Sequence, residues 1–216
     1  MEIIVVESGL IETNGYLIFD DNTKEAALID APQDSSELFL SHIQSNNLKL
    51  QYIFLTHTHW DHSTDANRLK NETGAKLCVH INDEYRLLNP NLYSILPLPF
   101  VLEESKPDKF LKHDELINVG SIRLQVKHTP GHTEGSLCYI DYEDKIVFSG
   151  DTLFNGSVGR VDLPGGSLEL LMHSINTILM SLPDDFKVYC GHGISTTIGS
   201  ERRQNPFLTG KYSEIL

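Results

Sequence analysis

Basic residues are the first shortage. The 216 residues hold 17 Lys and Arg against 30 Asp and Glu, a formal net charge of −13, and without clustered cations a surface cannot neutralise a phosphate backbone. Nucleic acid is therefore not an expected partner. Long apolar runs are missing too. Nothing approaches the roughly 18 consecutive apolar residues that a bilayer span requires, and the opening MEIIVVESG is acidic with only four consecutive apolar residues. It reads as a first strand rather than an export signal, and no membrane partner is expected. Cysteine is scarce: Cys78, Cys138 and Cys190 are odd in number, widely spaced and set among strand-forming residues. That pattern argues against a disulfide framework and for buried thiols in a reducing compartment, hence a cytoplasmic location. Low-complexity linkers and internal repeats are absent as well, so residues 1–216, at 40% hydrophobic content, are expected to form one domain.

What is present alternates between two periods. IIVV, YLIF and AALID read as strands of a meander. DSSELFLSHIQSNN follows as a surface helix, with Asp34 as N-cap and Glu37 three residues on. QYIFLTH is an apolar strand, STDANRLKNETG a helix capped by Ser63 and stopped at Gly74, KLCVH a strand and INDEYRLLN a short helix. PNLYSILPLPFVLEESKP carries four prolines and reads as an irregular loop able to wall or cover a pocket. The second half repeats the order, with strands SIRLQVKH, GSLCYIDY and KIVFSGD, a YEDK turn closing a hairpin, the long helical pattern SLELLMHSINTILMSL, the strand KVYCGHG and a terminal helix or turn in SERRQNPFL. Strands followed by a helix, twice over, predict an α/β fold of two similar halves packed together.

The stretch THTHWDH joins the strand QYIFLTH to the next helix and places His57, His59, Asp61 and His62 within seven positions. Period-two alternation lets His57 and His59 share one side, with Asp61 and His62 in the turn beyond. Three further segments put a donor just after a predicted strand: HTPGHTEGS offers His132, VFSGDTLF offers Asp151 and VYCGHG offers His192. Gly131, Gly150, Gly191 and Gly193 beside them would let backbone approach a compact site. Five imidazoles and two carboxylates suit borderline divalent ions, zinc first, then iron or manganese. Seven donors exceed one tetrahedral ion and fit two ions sharing a bridge.

With these motifs the chain resembles the metallo-β-lactamase-fold hydrolases, and within them it is similar to the short glyoxalase II-like branch, the hydroxyacylglutathione hydrolase-like proteins. The resemblance runs through TNGYLI, LIDAP, THTHWDH, HTPGHTEGS, GDTLF, GSVGRVDLPGG and TTIGSERRQNPFL. LIDAP stands where the family more often has Asp-Pro-Gly, and CGHGIS where Pro-Gly-His-Gly-Pro is common; neither departure removes a donor. The resemblance implies an α/β four-layer αββα sandwich with its site at one edge between two sheets. It implies that His57, His59 and His132 bind one metal, that Asp61, His62 and His192 bind a second, that Asp151 bridges them and that Asp30 supports the metal loop. The activity it implies is hydrolysis of thioesters such as S-lactoylglutathione by a metal-activated hydroxide, with Asp61 orienting the nucleophile and accepting its proton.

Arg160 matches the basic position with which glyoxalase II enzymes hold a glutathione carboxylate; it can equally pair with Asp162. The family's full-length enzymes have tyrosine where this chain has Asp162, and add a C-terminal helical domain for which this chain is expected to be too short. Alternatives are an iron-dependent persulfide dioxygenase using His57, His132 and Asp151, hydrolysis of another ester, lactone or thioester, and a non-catalytic metal-binding regulator. β-Lactam hydrolysis and RNA processing are disfavoured. Tyr93 and Phe100 read as local packing, Trp60 as pocket mouth or cluster cap, and His42, His80, His113, His128 and His173 as surface or supporting residues. The sequence assigns no oligomeric state.

Overall fold

The computed structural model describes residues 1–94 and 97–210. Its first sheet contains β1 (Glu2–Ser8), β2 (Thr13–Phe19), β3 (Glu25–Ile29), β4 (Lys49–Phe54), β5 (Lys76–Val79) and β6 (Lys109–Phe110), in that order. The meander β1–β2–β3 is antiparallel and β3 through β6 run parallel. The second half supplies β7 (Leu116–Val119), β8 (Ile122–His128), β9 (Leu137–Asp141), β10 (Ile146–Gly150), a short hairpin of β11 (Leu153–Phe154) and β12 (Ser157–Val158), then β13 (Lys187–Cys190) and β14 (Thr196–Thr197). The second sheet is ordered β14-β13-β10-β9-β8-β7, with only β10 and β13 parallel.

Strand alternation sorts the side chains into three cores. Along β2, Tyr16 and Ile18 join Phe54, Leu124, Leu137, Tyr139 and Phe148 between the sheets, whereas Leu17 and Phe19 turn outward. The outward residues of the first sheet pack on α1 (Ser36–Ser45) and α3 (Ala66–Thr73) through Phe39 and Leu69. Those of the second, including Cys138, Ile140 and Val188, pack on α6 (Leu168–Thr177) and α7 (Ile198–Gln204) through Leu171, Ile175 and Ile198. The result is the expected four-layer αββα sandwich. Three short helices, α2 (Trp60–Ser63), α4 (Glu84–Leu88) and α5 (Pro90–Tyr93), contribute to the lining of a pocket. Among the described residues, no helix is long and apolar enough to cross a membrane.

Local details differ from expectation for identifiable reasons. The N-cap of α1 is Ser35, not Asp34; its hydroxyl donates to the Pro32 carbonyl at 2.6 Å and accepts no capping hydrogen bond. Asp65, just before α3, instead accepts the Ser36 N–H at 2.7 Å. Ser63 ends α2 and donates to the His59 carbonyl rather than capping α3. Gly74 stops α3 in the left-handed conformation, as expected. The proline-rich segment is not wholly irregular: Pro90 starts the single turn of α5, where its missing N–H costs nothing. Ile95 and Leu96 lie outside the described residues.

Candidate metal centre

The residues just past the C-terminal ends of β3, β4, β8, β10 and β13 meet at one edge of the sandwich. Asp30 follows β3 with φ +59 and aims its carboxylate at the next loop, where Oδ1 accepts the Thr56 N–H and Oδ2 the Thr56 hydroxyl, each at 2.7 Å. That clamp turns the chain after β4 so that His57 and His59 enter the edge before α2 begins. Thr13 and Asn14, at the start of β2 in the first sheet, reach across to the loop after β13: Thr13 forms an isolated bridge with His192, and Asn14 donates to the carbonyls of Cys190 and Gly193. Close approach depends on glycine at two places. A Cβ on Gly191 would lie 2.1 Å from Asp151 Oδ1, and Gly150, at φ +49, sits against the Thr56 hydroxyl. Gly131 serves a different contact, against Leu171 of α6, and Gly193 has open space around it.

All seven expected donors come together. His57, His59 and His132 form one group, Asp61, His62 and His192 another, and Asp151 joins His57 and His62 in a third; the donor atoms within each lie within 4.8 Å of one another. His132 Nε2 is 3.2 Å from His57 Nε2, 2.9 Å from His59 Nδ1 and 3.4 Å from Asp151 Oδ2. His62 Nε2 is 3.1 Å from Asp61 Oδ2 and 3.3 Å from Asp151 Oδ1. His192 Nε2 is 3.3 Å from Asp61 Oδ2 and 3.6 Å from Asp151 Oδ2. The Asp151 carboxylate therefore lies between the groups.

The rest of each ring decides which nitrogen is free. His132 Nδ1 faces the Arg160 carbonyl at 2.8 Å, and His192 Nδ1 the Ile11 carbonyl at 3.1 Å, contacts that only an N–H can make favourably. His62 Nδ1 donates to Asp30 Oδ2 at 2.8 Å. His57 Nδ1 is 3.1 Å from the Thr56 hydroxyl, which has given its proton to Asp30 and so accepts from the ring. Each of these four rings thus commits Nδ1 to a partner and turns Nε2 toward the cluster, and the partners hold the ring angles. His59 differs, turning Nδ1 toward His132.

Bare nitrogens of His57 and His132 facing each other at 3.2 Å repel unless positive charge lies between them. In the neighbouring group His62 Nε2 and Asp151 Oδ1 are buried without a hydrogen bond, orphaned donor atoms that a bound cation would satisfy. Burial, then the charge of His62, holds His57 well below the usual imidazole range, and burial with the charge of His132 takes His59 down to about 3. Protons on His57 and His59 therefore do not supply that charge. In the second, burial is outweighed by carboxylates, so that Asp61 and Asp151 lift His62 well up and His192 to about 10. Asp61 and Asp151 lie well below the carboxylate range, because the charge of His62 overcomes their own burial. The donor set thus fits divalent cations in both groups.

A pocket of about 420 Å³ opens over the cluster, with Ile11, Trp60, Leu87, Tyr93, Phe154 and Leu163 among its apolar lining. Tyr93 belongs to this wall as well as packing on Tyr85, and Trp60 stands at the mouth against Phe100. The guanidinium of Arg160 makes two 2.7 Å bonds to Asp162, the pairing that the sequence left as an alternative.

Sequence reasoning missed one buried network. Asp83, with no exposed surface, accepts from Thr58 N, Thr133 Oγ1, Gly135 N and Arg86 Nη1 at 3.1, 2.8, 2.7 and 2.9 Å. It joins the residue between His57 and His59 to the residue after His132. The only advance signal was an Asp three positions before an Arg on a short helix. His80 and His128 are stacked rings 4.0 Å apart, outside the cluster as expected.

The sequence profile of the Metallo-beta-lactamase superfamily matches residues 9–192. The chain is 36% identical over 214 residues to the hydroxyacylglutathione hydrolase GloC of Haemophilus influenzae, covering 98% of this chain and 100% of that protein. Among solved structures, the BLEG-1 B3 metallo-beta-lactamase superposes with a TM-score of 0.90 at 34% identity, over 97% of this chain and 100% of that one. TTHA1623 in a di-iron-bound form gives a TM-score of 0.82 at 34% identity, over 95% and 100%.

Proposed function

The chain belongs to the metallo-beta-lactamase superfamily, and from that premise we propose that it is a metal-dependent thioester hydrolase of the glyoxalase II type, with S-lactoylglutathione as its first candidate substrate. The observation that carries the reading is the pair of donor groups with Asp151 between them, in the first of which His57 and His59 are held neutral with ring nitrogens crowded together. His57, His59 and His132 would hold one divalent ion, Asp61, His62 and His192 a second, with Asp151 common to both; zinc suits the donors best, and iron or manganese also fit. Such ions supply acidity to bound water, lowering its pKa from about 15.7 to about 7, and an electrophile for a carbonyl oxygen.

The chain's own groups do the rest. Thr13 Oγ1 donates to Asp61 Oδ2 at 3.0 Å and fixes that carboxylate, which is the group placed to orient the attacking water and take its proton. Asp30 and the Arg160 carbonyl keep His62 and His132 from turning away. The apolar pocket wall excludes bulk water from the carbonyl. A thiolate leaving group, whose parent thiol has a pKa of roughly 8.5, departs without a general acid.

The test is release of free thiol from S-lactoylglutathione by zinc-loaded protein. Expected are turnover that a chelator abolishes and that Asp61→Asn removes while the circular dichroism spectrum is unchanged. Turnover undiminished in Asp61→Asn would sink the assigned role of Asp61. One iron per chain, with oxygen consumed in the presence of glutathione persulfide and no thioester cleaved, would replace the hydrolase by a dioxygenase.

A further inference from the structure

The charged groups of the pocket are arranged unusually for a site that takes a glutathione thioester. Two guanidinium groups line it, Arg86 and Arg160. Arg86 is 4% exposed and fully engaged, with Asp83 at 2.9 Å, Glu134 at 2.5 Å and the Pro164 carbonyl at 2.9 Å. Arg160 is the one in reach of a ligand: its side chain is 60% exposed, and its own backbone carbonyl holds His132 at 2.8 Å, which places it beside the donor cluster. Yet one bidentate edge of its guanidinium is taken by Asp162, through Nε and Nη2 at 2.7 Å. That is the bidentate geometry in which a substrate carboxylate would itself be held. The remaining charged lining residue outside the cluster is Glu103, an acid.

We propose that Asp162 is a specificity-determining residue: by pairing with the Nε–Nη2 edge of Arg160 it neutralises the accessible guanidinium among the described lining residues, so the site takes thioesters with an uncharged distal end in preference to those ending in a carboxylate. The proposal rests on the thioesterase reading above and narrows its substrate class. A ligand carboxylate has to displace an intramolecular partner two positions away in sequence, whose local concentration is high, whereas an uncharged ligand meets only the apolar wall. S-Lactoylglutathione is then a weakly bound substrate.

The chain's single tryptophan, Trp60, lines the pocket and reports occupancy by fluorescence whether or not turnover occurs. The probes are S-methylglutathione and its glycine ethyl ester, which differ by one carboxylate charge, titrated into zinc-loaded wild type, D162N and the double variant R160A/D162N; calorimetry repeats each titration independently of the fluorophore. In wild type the ester binds at least as well as the acid. In D162N the acid binds roughly threefold to fivefold tighter, the order of effect that a solvent-exposed ion pair controls, the ester shifts less than twofold, and the gain disappears in R160A/D162N. Equal shifts for both ligands, no shift, no detectable binding of the acid to D162N, or a wild-type preference for the acid would each overturn the proposal. Failed thioester hydrolysis with this binding pattern intact removes the thioesterase reading alone. Hydrolysis intact with a D162N site indifferent to ligand charge removes this proposal alone.

Discussion

Replacing Asp83 by alanine tests whether the metal loops are held by one buried carboxylate. The change leaves the Arg86 guanidinium, 4% exposed, with Glu134 as its remaining acidic partner, itself 41% exposed. It also strips an acceptor from the N–H groups of Thr58 and Gly135 and from the Thr133 hydroxyl. Breaking a buried pair from one side costs about 3–5 kcal/mol, and the orphaned N–H groups are part of that loss rather than additional to it. At about 2–4 °C per kcal/mol for a domain of this size, the Tm should fall by roughly 6–20 °C. Because Asp83 links Thr58 to Thr133, metal affinity at the His57, His59 and His132 group should also weaken by about 10–100-fold, the usual consequence of losing support behind ligands. Circular dichroism melts of chelator-treated protein measure the first effect, and competition with a chromophoric chelator measures the second. An Asp83→Ala protein that melts within about 2 °C of wild type and binds metal equally well would refute the argument, since a carboxylate with four buried donors cannot be dispensable if the network holds the loops.

Three other outcomes are expected. Gly191→Ala places a methyl 2.1 Å from Asp151 Oδ1, so Asp151 must move; stability drops by about 1–3 kcal/mol, and a zinc titration followed by metal analysis should return less than the wild-type equivalents. His80 is pushed down to about 4 by burial and then by the charge of His128. Its folded state therefore binds fewer protons than the unfolded chain between about pH 6.5 and 4, and stability is lost as pH falls through that window. His80→Asn keeps an acceptor for the Asn82 N–H and removes the titration, so urea unfolding should show a shallower stability loss between pH 7 and 4.5 than wild type does; equal slopes would count against it. Burial raises Cys78 to about 12, Cys138 to about 11 and Cys190 to about 12. A thiol reagent at pH 8 should leave the native protein untouched and react with three thiols per chain in denaturant.

The donor residues were legible because their types are rare outside chemistry and because each follows an apolar strand, so local pattern and tertiary position coincide. β2 and β3 were legible as strands from the apolar runs YLIF and AALI, but both faces of these strands are buried, so which residue joins which core emerges only in the fold. What escaped notice depends on partners far away in the chain. Asp65 caps α1 from 29 positions on, and Asp83 reaches Gly135 across 52, with no motif to mark either. β6, β11, β12 and β14 are two residues each, too short to impose a period. His59 shares its motif with His57, but which ring nitrogen it offers depends on where His132 arrives. Arg160 stood open between substrate and Asp162, because spacing alone permits both; the fold places Asp162 on its fork.

Both three-residue donor groups draw from both halves of the chain: His57 and His132 are 75 positions apart, and Asp61 meets His192 from still farther. Ions held there would act as removable cross-links closing two long loops, the part that disulfides play in proteins whose cysteines are paired. Here the three cysteines are free. The lifetime of the folded protein would then be governed by how slowly the ions leave, and a chelator would shorten it by raising the unfolding rate. Resistance to a protease over hours, with and without chelator, would read the strength of that stapling directly.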